Sequence, residues 1–499
     1  MEEDSLKRRY SIKLFANIVS AIIGAILIAI VPKALGPIQY GQFVYLQDFF
    51  MKIIGFLDMG SSTAFFTKLS ARHTRKELIT FYTFYSSAVL TIALLFVLAI
   101  SKFGFSHNLL PDIPNKYIYF GLFFGFLTWL TQIFIIISDA YALTISVELI
   151  KIGHKIFSLL LLLYFVYFTL FELTNYFYYH YIALSSFLLV IGWLFIKKGI
   201  FYKNVLTLSF SFSQILKEFI HYCHPLVAYN IVGILVGLFD IWLLQNMAGS
   251  EQTGFYGLSY SLAAMCFLFT GTMTPIITRE FSKSYAQHDL EQMRKLFYRY
   301  IPMLYSLAAY FAVFISFQSE NVLAIFTNEQ FKGALFILAI MSFYPIHQTY
   351  GQLSGSIFYA TGQTHLYRNI GIISSLIGLV LSLILIYLLD LKGVGLAYKM
   401  IITQYIGVNL QLYFNSRFLG FNMKHFVLHQ TYSLLFFILL AFVSSKIIIT
   451  EEPLISFFIS GFIYTLLVII ISYIFPQIFA TTKDEIRSVL MKVLNVIKK

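Results

Sequence analysis

The residues with the clearest chemical potential are charged side chains inside long apolar runs. Asp48, Lys52 and Asp58 lie in one such run, residues 42–66, and Asp48 and Lys52 are one helical turn apart. A charge near the bilayer centre costs about 2.5–3.5 kcal/mol on insertion scales, so it persists mainly where it faces protein or a watery cavity. Two interpretations follow. Either Asp48 and Lys52 neutralise each other beside an interfacial aspartate, or the three side chains line a cavity that binds substrate.

A second polar group opens the apolar run at residues 147–169. Glu148, Lys151 and Lys155 are spaced at three and four residues and therefore share a helix face, with His154 alongside. This end of the helix is expected on the cytoplasmic side of the membrane. The lysines are therefore candidates either for side chains that extend to the lipid headgroups or for contacts with an anionic group such as pyrophosphate.

The second half of the chain supplies further polar candidates. Asp240 is a candidate for binding a coupling ion, because the matching position in the first half is a leucine and the two halves then differ in charge. Asn17 and Asn230 are candidates for substrate contact and equally for helix packing, since asparagine forms hydrogen bonds between membrane helices. His347 and Gln348 complete the set, with hydrogen-bonded packing as the alternative for the histidine.

Sequence motifs for catalysis or cofactor binding are missing from the chain. It contains no phosphate-binding loop, nucleotide fingerprint or metal-ligand cluster. The two cysteines, Cys223 and Cys266, lie in apolar runs and predict neither a metal site nor a disulfide. We therefore expect a protein that is not an enzyme, needs no cofactor or metal, and does not hydrolyse ATP.

Membrane-spanning helices must position these residues. The 499 residues are 59% hydrophobic and 12% charged, with a mean hydropathy of +0.78, and a soluble protein cannot bury so much apolar side chain. The first apolar run is too long for a cleavable signal, so none is expected. Runs of about 20 residues cross a hydrocarbon core of roughly 30 Å. They predict fourteen spans: 12–32, 42–66, 79–101, 117–139, 147–169, 176–196, 222–246, 255–278, 298–318, 332–359, 367–389, 394–415, 427–448 and 454–476.

The basic residues predict the orientation of these spans. Most of the 35 lysines and arginines fall on one side if the N-terminus is cytoplasmic, which is the side that retains positive charge. Both termini are then cytoplasmic and the loop at residues 102–116 is exported. The net charge of +12 follows from this bias beside anionic lipid, so nucleic acid is not an expected partner.

Residues 17–41 and 230–254 form an internal repeat with an offset of 213. They match without a gap at eight positions, including Gly36/Gly249 and Gly41/Gly254. Six spans separate the copies, an even number, so both enter the membrane in the same direction. We therefore predict an all-α polytopic membrane protein with two parallel six-helix lobes, residues 1–200 and 201–420, around a central cavity. Residues 421–499 would add two helices and a cytoplasmic amphipathic helix.

The amphipathic helix is predicted from the C-terminal residues. Apolar side chains recur at three and four residues from Ile486 to Ile497, behind a Thr482-x-x-Glu485 capping box. Basic residues occupy the other face. This pattern is typical of a helix that lies on the inner leaflet.

Three short motifs carry a family resemblance: Ala34-Leu-Gly-Pro-Ile-Gln-Tyr-Gly41-Gln-Phe, Leu57-Asp58-Met59-Gly60 and Ala360-Thr-Gly-Gln-Thr364. They resemble segments of polysaccharide exporters of the O-antigen flippase type, within the multidrug/oligosaccharidyl-lipid/polysaccharide (MOP) superfamily. The resemblance implies translocation of a polyprenyl-pyrophosphate-linked oligosaccharide across the bacterial inner membrane by alternating access of two lobes. Membrane lipids and glycan assembly proteins would be its partners.

Other functions are open at this point. Peptidoglycan-precursor flippases and multidrug or cation antiporters belong to the same superfamily, although the antiporters usually have twelve spans. A membrane glycan polymerase or acyltransferase is a remote alternative, because such an enzyme is expected to carry a large exported loop with reactive side chains. The longest exported loop here, residues 102–116, offers only His107 and Asp112.

Overall fold

The structure is a computed structural model that describes residues 6–71, 77–141, 143–201, 211–271, 273–447, 450–485 and 487. Within these ranges the chain is helical and contains no strand. Ten helices among the described residues are long and apolar enough to cross a membrane. The chain is therefore a multi-pass membrane protein. Its contacts form two compact units, Met1–Gly254 and Phe255–Lys499, called here the first and second unit.

Eight helices build the first unit. They are α1 (Leu6–Asp58), α2 (Ser61–Ala71), α3 (Glu77–Lys102), α4 (Ser106–Leu109), α5 (Asn115–Ala140), α6 (Thr144–Phe168), α7 (Leu173–Lys197) and α8 (Phe212–Ala264), whose end lies in the second unit.

The second unit contains the helices that follow α8. They are α9 (Phe267–Gly271), α10 (Thr274–Ala286), α11 (Leu290–Phe317), α12 (Ser319–Phe326), α13 (Leu335–Met341), α14 (Tyr344–Ala360), α15 (Thr364–Ser382), α16 (Lys392–Leu419), α17 (Met423–Ile447) and α18 (Pro453–Ile474). Short 3-10 and π turns precede α13 and follow α15. The last two helices contribute to the unit's hydrophobic core through buried side chains such as Phe437 and Tyr464.

The sequence repeat has a direct structural counterpart. Helices α1 and α8 each comprise 53 residues, and each contains one non-helical residue, Gly36 (φ 71°, ψ 168°) and Gly249 (φ 77°, ψ −179°) respectively. This backbone conformation is essentially restricted to glycine. Both copies therefore bend at the same repeat position, and each long helix holds one predicted span and the beginning of the next.

The bends bring the two copies together inside the first unit. A Cβ atom at Gly41 would overlap the carbonyl oxygen of Ser250, and one at Gly254 would overlap that of Pro37. The offset of 213 relates Pro37 to Ser250 and Gly41 to Gly254, so the contact is reciprocal. Glycine is required at both positions because a backbone of the other copy lies against each of them.

Three predicted spans differ from the helices observed. The span at 255–278 begins in α8, which ends at Ala264, and continues through α9 into α10. The second span was expected to run to residue 66, but α1 ends at Asp58, because Met59 and Gly60 have positive φ values and start a new direction at α2. The span at 332–359 is divided, with Pro345 in the first turn of α14. Helix α16 also holds a predicted span without being among the ten spanning candidates. The total of fourteen stays a prediction.

The predicted C-terminal capping box is present. The Thr482 amide donates to Glu485 Oε2 at 3.2 Å, and the Glu485 amide donates to Thr482 Oγ1 at 3.3 Å. These reciprocal bonds satisfy amides at a helix start. Most of the amphipathic helix predicted behind the box lies outside the described residues.

Candidate functional site

Lys52 connects the two copies of the repeat within the first unit. Its ammonium donates to the Asp48 carboxylate, one turn earlier on α1, and to the Gly237 carbonyl oxygen on α8 at 2.8 Å. The side chains of Lys52 and Asp48 are 26% and 36% exposed. The predicted intrahelical pair is therefore present, and it is also part of a contact between two helices.

Gly237 makes room for this contact. A Cβ atom at Gly237 would lie 2.9 Å from Lys52 Cε and 3.1 Å from Nζ, closer than packed side chains tolerate. At Gly24, its partner in the repeat, an added Cβ would meet nothing within 4 Å. Gly24 and Gly237 occupy matching positions of the repeat but have different surroundings. Of the two, Gly237 is the one that packs against a lysine side chain.

Asp240 adds a second carboxylate to this group. It is buried on α8, three residues after Gly237, and lies near enough to Asp48 for the two carboxylates to repel each other. We refer to Asp48, Lys52, Gly237 and Asp240 as the Lys52 cluster. The cluster therefore brings charged groups of both repeat copies together.

In addition to the contact between the two repeat copies, side chains of α1 and α8 form hydrogen bonds with the segment between α3 and α5. Backbone carbonyls of residues 108–112, the clamped loop, accept four hydrogen bonds. The donors are Tyr45 to Leu109 (2.7 Å), Trp242 to Asn108 (2.7 Å), Gln42 to Asp112 (3.0 Å) and Gln245 to Pro111 (3.1 Å). The loop predicted as exported thus fastens α1 to α8.

Asp58 is engaged at the turn into α2. Its carboxylate accepts hydrogen bonds from the Ser61 hydroxyl (2.8 Å), the Ser62 amide (3.1 Å) and hydroxyl (2.8 Å), and the Tyr82 hydroxyl (3.1 Å). Such bonds satisfy donors that a helix start leaves unpaired. The network gives Asp58 a structural task, and a substrate contact through Asp58 stays a prediction.

The four ionisable side chains near the start of α6 differ in their contacts. Lys151 Nζ lies 2.8 Å from the buried Glu148 carboxylate. His154 Nε2 lies 2.8 Å from the Ala183 carbonyl oxygen, which places this ring in packing with α7. Lys155 is half-buried and has no ion pair within the described part of the chain. Of the two predicted lysines, Lys155 is therefore the better placed to take an external anion.

The remaining candidates are distributed along the chain. Asn17 lies on α1, and its side chain is outside the description, whereas Asn230 is half-buried on α8. His347 is buried in the core of the second unit and Gln348 beside it is half-buried. Their contact with substrate stays a prediction.

Sequence reasoning missed the acceptor role of Gly237 and the donors of the clamped loop. Gly237 was visible as a matched repeat position, which indicated close helix approach without revealing the partner. The amide and indole groups of Gln42, Gln245 and Trp242 gave no signal, since each lies in an apolar run and binds backbone oxygens distant in sequence.

Comparison with known proteins assigns this fold. No family model matches the chain, and no curated protein matches its sequence. Among solved structures, lipid II flippase MurJ in an inward closed conformation aligns with a TM-score of 0.69 and 15% identity, covering 92% of this chain and 98% of that one. The chain therefore has a fold similar to that of this solved structure over nearly its whole length.

Two further structures extend the fold match. An inward-facing multidrug resistance MATE family transporter of the MOP superfamily aligns with a TM-score of 0.57 and 14% identity, over 83% of this chain and 96% of the transporter. A MOP superfamily transporter from Pyrococcus furiosus, described by the reverse polarity of its binding pocket, gives a TM-score of 0.57 and 15% identity over 83% and 95%. The resemblance to O-antigen flippases is narrower than this match and stays a prediction.

Proposed function

We propose that this protein is a flippase that translocates a polyprenyl-pyrophosphate-linked oligosaccharide across the bacterial inner membrane. The fold match to a lipid II flippase over nearly the full length of both chains supports a flippase of a lipid-linked group, which both candidates below have in common. The three exporter-like motifs support an oligosaccharide as the carried group. Flipping would proceed by alternating access of two six-helix lobes, residues 1–200 and 201–420, with two further helices in residues 421–499.

The charges of the first unit suit a lipid-linked diphosphate with a coupled cation. Lys155 presents an ammonium without an ion-pair partner among the described residues, and a pyrophosphate is the part of the substrate that such a group attracts. The Lys52 cluster holds its ammonium against Asp48 and Gly237, and its second carboxylate comes from Asp240. We assign anion contact to Lys155 and coupling to a cation or proton to the Lys52 cluster.

The proposed setting follows from the distribution of charge. The protein would be a multi-pass component of the inner membrane with both termini cytoplasmic, beside glycan assembly proteins, and would carry out transport without a cofactor or an enzymatic step. No nucleic acid partner is expected.

A peptidoglycan-precursor flippase is the second candidate, and one observation favours it. The solved structure with a TM-score of 0.69 is that of a lipid II flippase, while the multidrug transporters align over a smaller share of the chain. This candidate requires the same membrane chemistry and differs in the attached glycan.

Depletion in cells tests the proposal. Without the protein, lipid-linked oligosaccharide should accumulate on the cytoplasmic leaflet while synthesis of the repeat unit continues. Loss of the peptidoglycan precursor from the outer leaflet instead would favour the second candidate, and drug resistance on overexpression would favour an antiporter. If both glycan lipids reach the outer leaflet normally, and no redundant exporter is present, the flippase proposal is wrong.

A further inference from the structure

Five buried side chains of the second unit, Asn415 and Ser472 among them, carry polar atoms without a hydrogen-bond partner in the described part of the chain, and the other three lie around one tyrosine. These three are His347, Tyr350 and Gln430, which are 5%, 1% and 3% exposed. The unpartnered atoms are His347 Nδ1, the Tyr350 hydroxyl oxygen, and both the nitrogen and oxygen of the Gln430 amide. Buried polar groups in native proteins almost always bind protein or ordered water, so this concentration needs an explanation.

These side chains converge on one place, because each contacts or closely approaches Tyr305 of α11. The Tyr305 ring centroid lies 6.1 Å from that of His347 and 5.7 Å from that of Tyr350, both on α14. The Tyr305 hydroxyl donates to the backbone oxygen of Gln430 on α17 at 3.4 Å. The Tyr350 hydroxyl also lies near the Gln430 amide, without the geometry of a hydrogen bond.

Other buried polar groups of this core bind protein, although Asn415 Oδ1 and Ser472 Oγ are also without a partner among the described residues. His429, one residue before Gln430, is equally buried, yet its Nε2 lies 3.0 Å from the Ile478 carbonyl oxygen and 3.2 Å from the Ser433 hydroxyl. The Tyr464 hydroxyl, as buried as that of Tyr350, donates to the Tyr310 carbonyl oxygen at 3.1 Å. The unpartnered atoms around Tyr305 therefore form a local feature.

The energetic cost of unsatisfied buried groups and the chemistry of these three side chains both indicate water as the ligand. Each unsatisfied buried group costs about 1–3 kcal/mol, and a buried water typically makes about three hydrogen bonds to such groups. The three side chains offer neutral donors and acceptors together, which suits a molecule that both donates and accepts. A metal cation would prefer carboxylate or carbonyl oxygens, and these three side chains supply one carbonyl oxygen.

We propose that His347, Tyr350 and Gln430 form an internal water-binding site between α11, α14 and α17. Helices α14 and α17 both pack against α11, which carries Tyr305. Water exchanges hydrogen-bond partners readily, so this layer lets α14 shift against its neighbours without stranding polar groups. The site needs no transported substrate, so its test is independent of the proposed function.

Radiolytic hydroxyl footprinting of the full-length protein in lipid nanodiscs tests the site. Radicals generated from water that is held beside a side chain modify that side chain even where bulk solvent has no access. In water enriched in heavy oxygen, Tyr350 should gain labelled oxygen several-fold faster than Tyr464, the control of equal burial. Labelling of Tyr350 at or below the rate of Tyr464 would overturn the proposal.

A variant separates bound water from a general opening of the core. In the double variant His347→Phe, Gln430→Leu, apolar side chains replace two of the three groups, and such replacement of both partners is often nearly neutral for folding. Tyr350 labelling should then fall to the rate of Tyr464, with Tyr464 itself unchanged. Persistent fast labelling of Tyr350 in a folded double variant would contradict the proposal, and the comparison within the unaltered protein stands even if the variant fails to fold.

Discussion

Removing Lys52 should damage the protein more than removing Asp48, although the two form one ion pair. Lys52→Met deletes the ammonium that binds Asp48 and the Gly237 carbonyl and leaves Asp48 and Asp240 to repel each other. Asp48→Leu leaves Lys52 its bond to Gly237 and the nearby Asp240. Lys52→Met therefore leaves the Asp48 carboxylate without its ion-pair partner, whereas Asp48→Leu leaves the Lys52 ammonium with its bond to the Gly237 oxygen.

The expected losses of stability follow from the hydrogen bonds that each variant removes and from the exposure of the two side chains. A hydrogen bond to a charged group contributes about 1.5–3 kcal/mol, and an unpaired charge within a span costs roughly 2.5–3.5 kcal/mol. Because the two side chains are 26% and 36% exposed, the stranded charge retains part of its solvation. We expect Lys52→Met to lose about 2–4 kcal/mol and Asp48→Leu about 1 kcal/mol, with the double variant between them.

The assay compares membrane abundance, thermal unfolding in detergent and glycan-lipid transport for both single variants and the double variant. Lys295→Met is the matched control, since Lys295 pairs with Glu291 at the same spacing but with side chains 67% and 64% exposed. Such surface pairs contribute about 0–1 kcal/mol. Equal stability of Lys52→Met and the control would refute the reasoning.

The double variant also decides the functional role of the pair. If it folds and inserts but does not transport, the Lys52 cluster takes part in transport. A well-expressed and fully active double variant would remove Asp48 and Lys52 from the site and leave Lys155 as the principal candidate.

Three further predictions follow from the structure and a fourth from the distribution of basic residues in the sequence. Gly237→Ala should displace Lys52 and lower both stability and transport, whereas Gly24→Ala, with open space around it, should be neutral or stabilise α1 by about 0.5–1 kcal/mol; thermal unfolding compares them. Trp242→Phe removes one bond to the clamped loop, about 0.5–1.5 kcal/mol, and should speed labelling of a cysteine at residue 108, while equal labelling would argue against the clamp. Asp58→Ala should cost about 0.5–2 kcal/mol through loss of its bonds at the start of α2, and an unchanged melting temperature would contradict this. In intact cells, a cysteine at residue 107 should react with an impermeant reagent and one at residue 74 should not; external labelling at 74 would reverse the orientation.

The repeat shows how much of the fold was readable from the sequence. Gly36 and Gly249 matched at an offset of 213, and both adopt a conformation that only glycine tolerates. Apolar runs identified the helices because a bilayer requires continuous hydrophobic segments. The end of α1 at Asp58 was not predicted, since Met59 and Gly60 interrupt the helix through backbone angles that leave the apolar pattern intact.

The candidate site was only partly readable. Spacing along one helix predicted the Asp48–Lys52 pair and placed Glu148 and Lys151 on one helix face, because residues three and four apart are neighbours on a helix. The bond from Lys52 to Gly237 joins residues 185 positions apart through a backbone oxygen, which every residue possesses. A sequence pattern cannot indicate which backbone oxygen accepts a hydrogen bond, so the structure was needed to identify the Gly237 oxygen as the acceptor.

The reciprocal contact of Gly41 with Ser250 and of Gly254 with Pro37 has the form of an isologous interface. In a two-fold dimer, residue i of one subunit meets residue j of the other, and j meets i in return. Here both halves of that relation occur within one polypeptide, between segments 213 positions apart. Because both segments belong to one chain, the two sides can carry different residues, which the two sides of a homodimer cannot do, and Asp240 at the repeat position of Leu27 is an example.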